Sequence, residues 1–448
     1  MKTTETDVAV ESAGRGALHS RRDTPNGARA WVIAAMLLAL MMINFGDKAV
    51  LGLAANDIRE EFGLTASQYG AIASGFFLLF SLSALGVGYL ADRFSTTRIL
   101  TVLAVVWALA MAPVLGPAGF AVLLASRIVL GAAEGPAFGV ANHALQKWFS
   151  NSERSVPSAM LNLGSTLGVI VAAPALTWMI VNHGWRSAFV VMIVIGIGWV
   201  ALWLLVGREG PVGDEPSAHV REVLDEGDHR AVPTRRILLS GTWIGSVVAV
   251  FAAYWGAALI LSWLPAYLTS GLGYSATAAG TLTTLPWIAG AIALLTQGWL
   301  TQRLMRRGVS SRMARGVLGG AVMITAGICT LGFVHAPDGW PKLVLMAVGL
   351  GVSGVIFPVA TTVCGEIAPV SKRGTVLGAV VGVYSLAGVL APYIAGRLVG
   401  KAGEVPINGY NTVFTTTAVI LLAGGLCAVL LIRPEHDRLR LTARNAGS

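Results

Sequence analysis

Twelve runs of about 20 or more apolar residues, each long enough to cross a bilayer as a helix, recur along this chain. They lie near 30–55, 68–90, 98–116, 119–146, 156–181, 187–207, 237–268, 275–301, 314–335, 341–366, 374–398 and 411–432. Backbone groups in lipid must be satisfied within the segment, so the expected fold class is all-α integral membrane with twelve transmembrane helices. Composition agrees: 12% of the residues are charged and 55% hydrophobic, whereas a soluble domain carries about a quarter charged. Residues 208–236, holding Pro211, Pro216, Pro233 and many charges, separate two sets of six runs. The expected organisation is a tail over 1–29, halves over 30–207 and 237–432, a linker over 208–236 and a tail over 433–448.

Placing both termini in the cytoplasm puts 25 of the 32 lysines and arginines on that side. The opposite side receives five (Arg59, Arg186, Lys342, Arg397 and Lys401), while Lys48 and Arg127 fall inside spans. Basic residues favour cytoplasmic loops, so this bias orients the chain in a cell membrane. The same placement assigns the +9 net charge to loops rather than to a nucleic-acid surface. Residues 1–29 are polar, and the run after them is too long for a signal sequence and has no clear cleavage site, so a disordered cytoplasmic tail is expected. Cys329, Cys364 and Cys427 all lie in apolar runs without metal-ligand spacing, which points to buried packing over disulfide or metal chemistry; no cofactor is expected.

The halves repeat. Gly88-Tyr89-Leu90-Ala91-Asp92-Arg93 after the second run is matched by Gly298-Trp299-Leu300-Thr301-Gln302-Arg303 after the eighth. Ser152-Glu153-Arg154 before the fifth is echoed by Ser371-Lys372-Arg373 before the eleventh. Two parallel six-span repeats with a midplane site between them is a transporter plan.

These strings resemble the major facilitator superfamily: Gly88 to Arg98 (GYLADRFSTTR) is similar to its loop signature between spans 2 and 3, and Arg127-Ile128-Val129-Leu130-Gly131 to its span 4 element. Asn44 to Lys48 (NFGDK), Arg127 to Phe138 (RIVLGAAEGPAF), Gly184-Trp185-Arg186, Ser262 to Leu268 (SWLPAYL) and Gly388 to Pro392 resemble the anion:cation symporter branch, which carries sugar acids and aromatic carboxylates with protons. Lys48 stands where that branch usually has arginine, Phe45 and Phe80 where it often has tyrosine, and Val381 where sugar-acid carriers have asparagine. Fewer hydroxyls and amides suit a less hydroxylated carboxylate. Gln302 replaces the acid of the second loop copy.

Asp47, Lys48, Arg127 and Glu134 are ionisable residues at membrane depth, where charge is expensive and marks an ion or substrate path. Arg127 and Glu134, seven apart, share a helix face. Burial and a nearby cation act oppositely on a carboxyl, so Glu134 can titrate and is the expected proton carrier, with Asp47 second. Asp47 and Lys48 point about 100° apart; Lys48 is expected toward the cavity as an anion ligand beside Arg127, and Asp47 toward Arg127. Phe80, Asn162, Ser165, Tyr254, Trp255 and Tyr384 are the other expected substrate contacts, and Asp92, Arg93 and Arg98 the expected gate.

The expected function is proton-coupled uptake of a small carboxylate by a monomer, with the organic anion, protons and the lipid bilayer as partners. Rivals are a proton-coupled exporter or antiporter of the same fold and a spinster-like lipid carrier. An enzyme is not expected, since no HExxH, GxSxG or His/Asp cluster is present.

Overall fold

The computed structural model describes residues 27–91, 94–149, 155–211, 233–369, 372–403 and 405–443. Most of the predicted N-terminal tail and linker therefore lies outside the described residues. Among the described residues eleven helices are long and apolar enough to cross a membrane, and the 26-residue helix Ala66–Ala91 occupies the place of the second predicted span. In chain order they are α1 Gly27–Leu53, α2 Ala66–Ala91, α3 Thr96–Leu115, α4 Phe120–Gln146, α5 Ser155–His183 and α6 Trp185–Val206. The second half contains α7 Gly241–Ser262, α8 Ala276–Arg306, α9 Arg312–His335, α10 Trp340–Ile367, α11 Arg373–Lys401 and α12 Pro406–Leu431. A short helix, α13 Pro434–Ala443, follows.

Several predicted spans are not single rods, and two of the breaks bear on the site. The run at 119–146 breaks between Glu134 and Ala137, where Gly135 and Pro136 intervene. The run at 237–268 stops as α7 at Ser262; Trp263 leaves helical geometry and Pro265 follows before a π-helical turn at Tyr267–Gly271. Proline has no N–H to donate and its ring crowds the preceding turn, which apolarity alone does not reveal.

Each half ties its third helix to the chain that leaves its sixth. Glu209, just beyond α6, accepts from Thr96 Oγ1 at 2.9 Å and from the Thr97 N–H at 3.1 Å, capping α3. Glu435, just beyond α12, accepts from the backbone N–H groups of Ser311 and Arg312 at the start of α9. Free N–H groups at a helix start favour an anion, so the two carboxylates do the same work at equivalent positions of the repeat. Partial burial alone would push the Glu209 carboxyl up, but the Thr97 N–H, the Thr96 and Ser95 hydroxyls and Lys147 together hold it below its ordinary range. A lowered folded pKa stabilises the fold above the ordinary glutamate value, about 4.3, and that contribution fades as pH falls through the folded value. Glu209→Ala is therefore expected to lower the melting temperature in detergent by about 2 °C at pH 7, with the difference shrinking below about pH 4.

The halves meet closely on the side away from the chain termini. A Cβ on Gly52 of α1 would stand 2.0 Å from the Leu261 carbonyl oxygen of α7, and one on Gly70 of α2 would stand 2.6 Å from the Pro392 oxygen of α11. Only glycine lets backbones approach so far. Tyr69 is fully buried, and its hydroxyl is within donating distance of both Leu51 O (3.0 Å) and Ser262 O (2.9 Å), one from each half. Asn56 Nδ2 donates across the same seam to Thr269 Oγ1 at 2.8 Å. Tyr69→Phe removes the donor to Ser262 O, the one of these two contacts that crosses between the halves and is made only in the closed seam. A loss of about 1 kcal/mol shifts the balance about fivefold toward opening on this side. The check is labelling of Leu51→Cys by an impermeant maleimide, in a background lacking Cys329, Cys364 and Cys427.

Candidate functional site

The four ionisable residues singled out by sequence converge behind that seam. Asp47, Glu134 and Arg127 are 0%, 1% and 2% exposed. Apolar α1 carries Asn44 and Lys48 four residues apart, hence on one face, and this face meets α4 at Glu134. Glu134 Oε2 pairs with Lys48 Nζ at 3.0 Å and accepts from Asn44 Nδ2 at 3.1 Å, while Lys48 also donates to Asn44 Oδ1. Three side chains thus close a ring. Buried charges must be paired and hydrogen-bonded to persist, and this ring does both for the lysine.

Asp47, expected toward Arg127, takes its hydrogen bond from α3, where Trp107 Nε1 donates to Oδ2. The 100° step from Lys48 turns it to that neighbour. Arg127 stacks on Phe189, its guanidinium carbon 5.4 Å from the ring centroid. Its Nε and Nη2 are buried without a hydrogen-bond partner among the described residues, as is the second oxygen of each carboxylate, Asp47 Oδ1 and Glu134 Oε1. Buried unpaired donors on a guanidinium are costly and mark a place for an acceptor. Lys48 and Arg127 both border a cavity of about 20 Å³, lined also by Leu51, Phe76, Phe77 and Ser262 among others. That is room for one water or one carboxylate oxygen.

The other residues chosen from sequence divide. Phe80 lies with its ring centroid 5.5 Å from Lys48 Nζ, and Tyr254 and Tyr384 lie 4.9 Å apart on the facing half, but none of the three borders the cavity. Trp255 is buried against Phe251, 6.3 Å between centroids, and does not border the cavity; at one residue from Tyr254 it looks the other way. Asn162 is exposed and donates to Ser158 O of its own helix; neither it nor Ser165 borders the cavity. Arg98 is exposed at the start of α3, and Asp92 and Arg93 lie outside the described residues.

Sequence reasoning passed over three residues. Asn44 carried a signal, standing one turn before Lys48. Trp107 and Tyr69 carried none, since an indole or phenol inside an apolar run reads as packing until its partner is known.

The major facilitator superfamily profile matches residues 36–351 and 309–447. The chain belongs to the major facilitator superfamily. Like other members it is a transporter, not an enzyme, and its twelve helices form the two six-helix repeats of the major facilitator fold. Similar curated proteins include the probable sulfoacetate transporter of Cupriavidus necator, 28% identical over 90% of this chain and 94% of that one. The D-galactonate transporter of Escherichia coli is 27% identical over 91% and 96%. Among solved structures, a bacterial homologue of the human lysosomal transporter Spinster, inward-facing and unoccupied, superposes with a TM-score of 0.75 at 18% identity, over 93% of this chain and 98% of that one. That likeness is one of fold.

Proposed function

We propose that this protein is a proton-coupled symporter that imports a small organic anion, a carboxylate, across the cytoplasmic membrane with both termini inside. The observation that carries the reading is the Lys48–Glu134 contact at 3.0 Å beside an Arg127 guanidinium with unsatisfied donors. Ionised Glu134 occupies the ammonium that an incoming anion needs. A proton on Glu134 removes that competitor and leaves Lys48 and Arg127 facing the same cavity.

Charge counting gives the coupling. With both carboxyls ionised, Asp47, Lys48, Arg127 and Glu134 sum to zero. Protonation of Glu134 makes the set +1, and a monoanion restores neutrality. The loaded and the empty, deprotonated site are then both neutral at membrane depth, whereas half-loaded states carry a charge. Conformational exchange is favoured for the neutral ones, which is what obligatory coupling needs. At least one proton accompanies each anion, and Asp47 is the second protonation site.

Relatives named for sulfoacetate and D-galactonate, both anions, support the substrate's charge. With termini inside, the closed seam of Gly52, Tyr69 and Leu261 faces outward, so the structure corresponds to a state sealed from the outside. The test is uptake of radiolabelled acids into proteoliposomes under an imposed inward proton gradient. Accumulation driven by the gradient supports the reading. Anion efflux in exchange for protons would replace it with the exporter, and movement of labelled lipid alone would replace it with the lipid carrier.

A further inference from the structure

The two buried carboxyls are held in different ways. Glu134 has a cation and an amide, Lys48 and Asn44, whereas Asp47 has an indole. Trp107 of α3 and Asp47 of α1 are both buried, and Trp107 Nε1 donates to Asp47 Oδ2. Among the described residues Asp47 Oδ1 has no hydrogen-bond partner. The charged groups near Asp47 are Arg127 and Glu134 of α4 and its own neighbour Lys48. α5 and α6 pack on the same stretch of α1 at Gly46, where they bring Ala172 and Met192. Lys48 is engaged by Glu134, and Arg127 stacks on Phe189 with Nε and Nη2 unused. A buried carboxylate needs donors, and here a neutral indole supplies one.

The helix that carries the indole is anchored by bonds of its own. Ser126 Oγ of α4 donates to Ala110 O of α3 at 2.7 Å, three residues beyond Trp107. Trp203 Nε1 of α6 donates to Thr97 O at 3.2 Å, near the start of α3. α1, α3, α4 and α6 all belong to the first half, and in alternating access each half moves largely as a rigid body. The Trp107–Asp47 contact therefore persists whichever way the site faces, unlike the Tyr69 bond to Ser262 O. Its effect falls on the proton and not on the gate. An indole N–H donates and cannot accept, and bonds to an ionised acceptor are about twice as strong as neutral ones. Trp107 thus favours the carboxylate over the acid. It also distinguishes the two oxygens: with Oδ2 accepting from the indole, Oδ1 is open, and a proton there leaves the indole bond in place.

We infer that Trp107 is the positioning residue of the second protonation site, holding the Asp47 carboxylate by Oδ2 so that its proton enters and leaves at Oδ1. The assignment rests on the symport reading, in which Asp47 takes a proton after Glu134. Without the donor, Asp47 keeps its proton through the cycle. The set of Asp47, Lys48, Arg127 and Glu134 is then one charge more positive at every step. The empty carrier, neutral in the native protein, has to reorient with a net charge of +1.

The experiment is an infrared titration of the full-length protein in proteoliposomes, following the protonated-carboxyl band that Asp47→Asn removes. It is run on the native protein, Trp107→Phe and Trp107→His, beside proton-gradient-driven uptake of radiolabelled galactonate, sulfoacetate and benzoate across the same pH range. Trp107→Phe keeps an aromatic ring and removes the N–H. Its Asp47 band is expected to persist about one to two pH units higher than the native one, a ten- to hundredfold tighter hold on the proton. The alkaline limb of uptake should move with it. Trp107→His keeps a five-membered ring with an N–H at the position of the indole N–H, so its midpoint should stay at or below the native value. Packing alone would not separate the two variants in this way. An Asp47 midpoint unmoved in Trp107→Phe, or raised equally in Trp107→His, overturns the inference and leaves proton symport standing. A raised midpoint with an unshifted uptake profile overturns the role of Trp107 in coupling. If the native protein accumulates no acid under the gradient, the symport reading falls and takes this inference with it.

Discussion

Glu134→Gln is expected to abolish concentrative uptake while leaving exchange intact. One pH unit of gradient, about 1.4 kcal/mol, sustains about tenfold accumulation for one proton per monoanion. The variant should not raise its substrate above a ratio of one. Glutamine is neutral, as protonated glutamate is, so Lys48 is no longer neutralised across the 3.0 Å contact and the loaded form still reorients. Counterflow of labelled against unlabelled acid should therefore persist. In the native protein anion affinity falls as rising pH ionises Glu134 and re-forms the pair; in the variant that dependence disappears. The measurements are accumulation ratio, counterflow, and substrate affinity by calorimetry at three pH values. Concentrative uptake retained with its pH dependence would remove Glu134 from the coupling.

Gly52→Ala should lock the transporter, whereas Gly131→Ala should damage it. A Cβ on Gly52 would lie 2.0 Å from Leu261 O, across the seam between halves; one on Gly131 would lie 1.7 Å from Phe76 O, between α2 and α4 of one half. Both clashes are against backbone, which cannot rotate away, and overpacking of this kind costs about 3 kcal/mol or more. The Gly52 contact exists only when the seam is shut. Its cost should shift the balance about a hundredfold toward the open-seam state, leaving melting temperature near native and Leu51→Cys fully reactive to the impermeant maleimide. Packing of α2 on α4 is needed in every state, so Gly131→Ala should lower yield and melting temperature without changing labelling. Equal loss of stability in both variants would show that the seam does not open.

Much of this was legible in the chain. Hydropathy located the helices because lipid leaves a backbone few alternatives, and the charged residues at membrane depth announced themselves by their cost. Pairing was less legible. Adjacent Asp47 and Lys48 must diverge on a helix, but the rotation of α1 against its neighbours decides which meets α4. It is Lys48 that finds Glu134, while Asp47 meets Trp107. Asn44 could have been added from its spacing alone, whereas Trp255 was included by adjacency to Tyr254 and packs against Phe251 of its own helix. The break after Ser262 depends on Pro265, a single residue in a run whose mean apolarity is uninterrupted.

The seam has a consequence for how the carrier senses its surroundings. Its donors are a phenol, an amide and a serine hydroxyl, and its acceptors are Leu51 O, Ser262 O, Thr269 Oγ1 and Gly396 O. None of these gains or loses a proton near neutrality, and none is an ion that salt would screen. Acidifying the medium should therefore change how often the carrier loads, not how firmly the empty carrier shuts. Sensing and sealing are assigned to separate layers of the same bundle.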